Sequence, residues 1–340
     1  MSIVHLRNTK TNKIYNSKLK IVGLQSLNDI VLEVDPAFNN ARWDKEPTET
    51  LEKLYELRAK QIREIYNYVV VYFSGGGDST TVLDSFVKNN ILIDEVVVYI
   101  NTDAEDNPKI NGLYALKYLK DTKYPGLVTV VDVNLNVLSR IMNEGTWKNF
   151  ENFSGLLHSF YRFRIDFYEK HNYITIRARR KNKVAHVFGG VFPIVEKIHG
   201  HFYSTIRISD FMLSSTDHEN VQFFTSSEMP EVHIKQSYVI SHSFQEHLER
   251  ECSIYKKLVR NEYYEDSDTS KNGGVTETQS NQHGQHHMIM NMYERRSELG
   301  NLPLDIKRDK FLARYNQVLT FYNEKSSIKL DEFKRSYQLR

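Results

Sequence analysis

The chain has 340 residues, 40% of them hydrophobic and 26% charged, a composition able to build one large core or two ordinary ones. A net charge of +2 at pH 7 neither demands nor excludes nucleic acid, and a single cysteine, Cys252, excludes a disulfide framework or a CxxC metal pair. No apolar run approaches the ~20 residues of a membrane helix, and Met1-Ser2-Ile3-Val4-His5 lacks the basic-then-apolar pattern of a secretion signal. The expectation is a soluble protein of the cytoplasm, or of the host cytoplasm for a viral chain.

Residues 1–45 read as an irregular or β-rich lead-in, with short strands expected at 18–22 and 30–34. Pro47-Thr48 opens a helix whose inner face carries Leu51, Leu54, Tyr55, Arg58, Ile62, Ile65 and Tyr66 at helical spacing. It reads as a packing helix, with Arg58 or Arg63 near a bound anion as the sharper alternative. A β-branched run, Val69-Val70-Val71-Tyr72-Phe73, is a buried parallel strand by pattern. It empties into Ser74-Gly75-Gly76-Gly77-Asp78-Ser79-Thr80, and apolar positions 82, 83, 86 and 87 then give a helical stripe. Residues 95–100 form a second strand ending in Asn101-Thr102-Asp103, and Pro108 starts a helix that Pro125-Gly126 breaks. Residues 127–133 are a third strand. Strands alternating with helices of this length predict an open, mostly parallel α/β sheet flanked by helices.

Residues 134–183 read as mostly helical and aromatic, ending in the basic cluster 177–183, either a solvated face or a nucleic-acid contact. Val184 to Phe188 is a fourth strand, followed by Gly189-Gly190. Ligands of open parallel sheets bind beyond the carboxyl ends of strands, so Gly189 and Gly190 either face the crevice of the first glycine loop or make a plain turn. Phe202–Ile208 and Val221–Thr225 read as a β pair, and a helix is expected from about 237 to 257, with Lys235 just ahead of it as a candidate phosphate-neutralising group. The polar stretch 264–287 reads as mobile. The remainder to about 337 reads as a C-terminal helical region.

The strand–glycine turn–helix at 69–87 has the physics of a phosphate site. Glycines admit close backbone approach and positive φ, and helix-start N–H groups with the helix dipole favour an anion. Ser74, Ser79 and Thr80 add hydroxyls, and Asp78 beside an anion makes sense with a divalent cation. No lysine follows the glycines, which excludes a Walker A loop. Thr80 stands where a dinucleotide fingerprint needs its third glycine.

The string Ser-Gly-Gly-x-Asp-Ser resembles the PP-loop of the ATP pyrophosphatases, the adenine nucleotide alpha-hydrolase-like superfamily. The broader pattern resembles phage-type members described as phosphoadenylyl-sulfate reductase-like or asparagine synthase-like. The resemblance is specific at 74–79 and consistent from about 68 to 190. It implies a HUP-like sheet and a nucleotide-binding domain over 46–240, between the lead-in and a C-terminal region at 241–340. It further implies ATP and Mg²⁺ as cofactors. Ser74, Gly75, Gly76, Gly77, Ser79 and Thr80 would hold phosphates, and Asp78 would orient the loop or hold Mg²⁺. Asn101, Thr102 and Asp103 would lie near the adenine or ribose, with Asp78 and Lys235 as the catalytic candidates. The implied reaction adenylates a carboxylate, amide or oxo group with release of pyrophosphate, and ammonia or an amine then displaces AMP.

Departures from the superfamily narrow this. Ser2 stands where glutamine-dependent relatives expose a nucleophilic cysteine, and Cys252 alone disfavours thiolation and excludes a zinc site of queuosine-precursor type. Two other readings stay open: a non-catalytic adenine-nucleotide sensor or sequestering module, and an ATP-dependent modifier of tRNA or DNA bases docking through 177–183. The acceptor is a small molecule or a nucleic acid, and self-association into a homo-oligomer is left open.

Overall fold

The computed structural model describes residues 3–15, 29–100, 112–132, 183–189, 193–207, 220–246 and 334–340, with residues 313, 316 and 317. The centre is a five-stranded parallel sheet of β4 (Tyr68–Tyr72), β5 (Glu95–Ile100), β6 (Val128–Asp132), β7 (Val184–Phe188) and β10 (Asn220–Gln222). Its order across the sheet is β10-β7-β4-β5-β6. Counted by appearance in the chain, that is 3-2-1-4-5 from the other edge, a doubly wound order whose direction reverses between β4 and β7. Helices α2 (Leu51–Ile65), α3 (Gly77–Val87), α4 (Leu113–Asp121) and α5 (Glu231–Glu246) complete the α/β fold.

Strand alternation decides what the helices cover. Val69, Val71 and Phe73 lie on one face with Val96, Val98, Ala185, Val187, Val221 and Phe223. These pack with Leu54, Tyr55, Ala59 and Ile62 of α2 and Val82, Leu83 and Phe86 of α3. Tyr68, Val70, Tyr72, Val97, Tyr99 and Val184 of the opposite face are buried as well. A parallel sheet covered on both faces explains why these strands read as continuous apolar runs rather than as alternation. Thr50 caps α2, its side chain accepting from the Lys53 amide at 3.2 Å.

Two small antiparallel sheets flank this body. One joins β1 (Val4–Asn8), β2 (Ile14–Tyr15) and β3 (Ile30–Val34); the other has the order β11-β9-β8, from β8 (Ile194–Ile198), β9 (His201–Arg207) and β11 (Lys334–Leu339). A one-turn helix, α1 (Pro36–Asn39), follows β3. The strand expected at 30–34 is present, whereas that at 18–22 lies outside the described residues.

Several expectations are corrected. The pair expected from 202–208 and 221–225 does not form: β9 pairs with β8 and β11, while β10 runs parallel to β7 in the central sheet. The helix expected from about 237 starts instead at Glu231, because Pro230 and an acidic first turn already open it. The expected C-terminal helical region lies largely outside the described residues, and its described end, Lys334–Leu339, is a strand. Its alternating Ser336, Tyr337, Gln338 and Leu339 bury Tyr337 and Leu339 and pair with Thr205 through Phe202. Among the described residues no helix is long and apolar enough to cross a membrane.

Candidate phosphate-binding site at the sheet switch point

The glycine loop lies at the carboxyl end of β4, beside the point where the sheet reverses direction. Open α/β sheets bind ligands at that point because connections leave in opposite directions and a crevice opens between them. The loop is held by its own hydroxyls. Ser74 N donates to Ser79 Oγ at 3.2 Å, the two Oγ atoms are 3.0 Å apart, and Ser79 Oγ donates to the Gly76 carbonyl at 3.0 Å. Helix α3 starts at Gly77 behind Gly76, with no side-chain cap, and its first backbone bond is Thr80 N to Gly76 O at 2.9 Å. An uncapped start leaves the early N–H groups of the helix for a ligand.

The glycines have specific steric work. Gly75 has φ +77°, and a methyl group there would fall 2.6 Å from the Ala115 amide nitrogen. The loop is therefore pressed against the first turn of α4. That helix opens at Gly112, with φ +74° and no side-chain cap, where a methyl would fall 2.2 Å from the Tyr99 carbonyl oxygen. Two helix starts thus meet at Gly75. Sequence reading passed over Gly112, although Asn111-Gly112 is a turn signal.

Gly189 comes to the same place. Its carbonyl accepts from Phe224 N at 2.9 Å, continuing the β7–β10 ladder. A methyl at Gly189 would lie 3.1 Å from Asp78 Cβ and 3.2 Å from the Phe224 ring. The two strand-end glycine sites are therefore in contact, through Asp78. Asp78 is half-buried in the first turn of α3, and Ser79 and Thr80 are buried beneath it. Burial raises the Tyr55 pKa above its ordinary value; a bond from Gln236 opposes this, and the charges of Glu52 and, last, Asp78 add to it.

Other candidates fall elsewhere. Lys235 is inside α5 rather than ahead of it, and its ammonium bonds Glu46 Oε1 at 2.7 Å and the Pro47 carbonyl at 3.0 Å. It braces α5 to the segment leading into α2. Arg58 is fully buried, donating to Glu228 Oε2 and the Gln222 carbonyl, each at 3.1 Å. Arg63 pairs with Asp94 at the amino end of the sheet, opposite the loop. Both arginines are structural clamps, in line with the packing-helix reading. Asn101, Thr102, Asp103, Gly190, Cys252, residues 177–182 of the basic cluster and the stretch 264–287 lie outside the described residues. No protein-family model matches the sequence, and no curated protein matches it significantly.

Among the described residues no group of three metal-ligating side chains occurs. Mg²⁺ carried by a polyphosphate needs only one or two protein carboxylates, and Asp78 is the one in the first turn of the helix.

Proposed function

We propose that the chain is a HUP-like ATP pyrophosphatase that adenylates an acceptor and releases pyrophosphate. What carries the reading is the contact of Asp78 with Gly189 at the switch point of the 3-2-1-4-5 sheet, beside an uncapped Ser-Gly-Gly-Gly-Asp-Ser loop. The backbone of Gly75 to Gly77 binds the β- and γ-phosphates, where helix-start amides and dipole favour negative charge, while the hydroxyls of Ser74 and Ser79 hold the loop in that shape. Asp78 would hold Mg²⁺, which would offset charge on the leaving pyrophosphate. An acceptor oxygen bonds the α-phosphorus as the bond to the β-phosphate bridge breaks, and ammonia or an amine then displaces AMP. The residues contribute positioning and electrostatics, the terms that dominate phosphoryl and adenylyl transfer. The protein would work in the cytoplasm on a small-molecule or nucleic-acid acceptor.

The test is to incubate the protein with α-labelled ATP, Mg²⁺ and a metabolite or small-RNA extract. AMP and pyrophosphate should form only with extract, and Asp78→Ala should lower the rate about 100-fold or more. ADP and phosphate would mean that a different bond is cut. Binding of ATP without turnover would favour the sensor or sequestering module.

A further inference from the structure

Asp84 of α3 is buried beside the apolar Val82, Leu83 and Phe86 of the same helix. A carboxylate out of water is costly unless it is paired and hydrogen-bonded. Its Oδ1 accepts from the Tyr118 hydroxyl of α4 at 2.5 Å, and the exposed Lys88 brings its Nζ to 2.7 Å from Oδ2. The phenol–carboxylate bond is short and charge-assisted, the stronger kind, and it ties α3 to α4. Tyr118 is also buried, its ring 5.3 Å from that of Phe73, the residue before the loop. It stands three positions after Ala115, hence on the same face of α4, and the Ala115 amide nitrogen is what closes on Gly75. Tyr118 therefore meets the chain just before the loop and the helix just after it, from the face of α4 that packs on the loop itself.

We propose that Asp84 and Tyr118 are a positioning pair for the glycine loop: their bond seats the first turn of α4 against Gly75 and so holds Gly75 in the left-handed conformation that presents the loop to a phosphate. This rests on the nucleotide reading of the loop. Gly75 has φ +77° and no room for a methyl group between it and Ala115, so any drift of α4 changes the space that the loop must fill. The side-chain bonds within the loop join Ser74, Gly76 and Ser79, whereas Gly75 is set by what lies against it. A hydrogen bond suits this task better than apolar packing, because it holds over a narrow range of distance and angle, while hydrophobic contact is non-directional.

The experiment is calorimetric titration of the full chain with ATP and Mg²⁺, paired with melting temperatures. Tyr118→Phe keeps the ring on Phe73 and should lose about tenfold in ATP affinity. It leaves the Asp84 carboxylate buried with one partner fewer, so its melting temperature should fall too. The double variant Asp84→Leu, Tyr118→Phe removes both polar groups, and replacing both partners by apolar groups is nearly neutral for stability. Its melting temperature should return close to the wild-type value while the loss in affinity stays, a split that a merely structural pair does not produce. Asp84→Asn still accepts from the Tyr118 hydroxyl and should bind ATP as the wild type does. A double variant that binds ATP like the wild type overturns the inference and leaves the loop reading standing. One in which melting temperature and affinity stay low together overturns it in favour of general loosening. A wild type that binds no ATP overturns the loop reading and the inference with it.

Discussion

The two sides of the core are built from different chemistry. Where α2 and α3 meet the central sheet, the contact is Leu54, Ile62, Val82, Leu83 and Phe86 against Val69, Val71, Val96 and Val98. The buried face of α5 sets His233, Gln236, Ser237 and Ser241 among Val232, Ile234, Tyr238 and Ile240, a far more polar mixture. Ser237 Oγ lies 2.9 Å from Ser204 Oγ and 2.8 Å from the His233 carbonyl, and His233 Nδ1 lies 3.2 Å from Thr225 Oγ1. The apolar side draws stability from burial, at roughly 25 cal/mol per Å². The polar side gains little net stability from its bonds, each worth about 1 kcal/mol, but those bonds work only in one arrangement. The side that carries these bonds is thus the side that fixes geometry.

Three substitutions and one change of conditions can break that contrast. Phe223→Ala, at a fully buried ring on the apolar side, should cost about 4 kcal/mol of unfolding free energy in urea; a loss below about 2 would mean that the dry core is not the main source of stability. On the polar side the effect should be pH-dependent. Burial pushes the His233 imidazole from its ordinary 6.5 down to about 3. The folded form then stays neutral where the unfolded chain takes up a proton. Stability is full above pH 6.5 and falls as pH drops toward 3, by about 2 kcal/mol between pH 6.5 and 5. Denaturation midpoints across that range should show the slope, and His233→Leu should flatten it. Ser237→Ala should cost only about 1 kcal/mol, and a much larger loss would show that the hydroxyl network acts as a unit.

What the sequence reveals follows the same division. Strands β4, β5 and β7 were legible because burial on both faces demands apolar runs, the edge strand β6 was legible from its β-branched residues although Val130 is exposed, and the loop was legible because its glycines follow such a run. The rule that ligands sit beyond strand ends also led to Gly189, which the structure places against Asp78. The start of α5 was misread because buried polar groups from His233 to Ser241 alternate with Ile234, Tyr238 and Ile240 and break up its apolar period. Strand β10 is only Asn-Val-Gln, and its place is set by its partner β7, not by its own residues. The Tyr55–Gln236 bond spans 181 positions, a separation at which composition and spacing carry no information.

The pairing of β9 with β11 has a consequence for the timing of synthesis. Thr205 and Ser336, whose hydroxyls sit 3.0 Å apart, are 131 positions apart in the chain. At about 5–20 residues per second on the ribosome, β9 emerges many seconds before the strand that covers its open side. During that interval its unpaired N–H and C=O groups form a bare edge of the kind that recruits foreign strands. The nascent protein is therefore most exposed to misassembly late in translation, after the residues of its phosphate loop have been made.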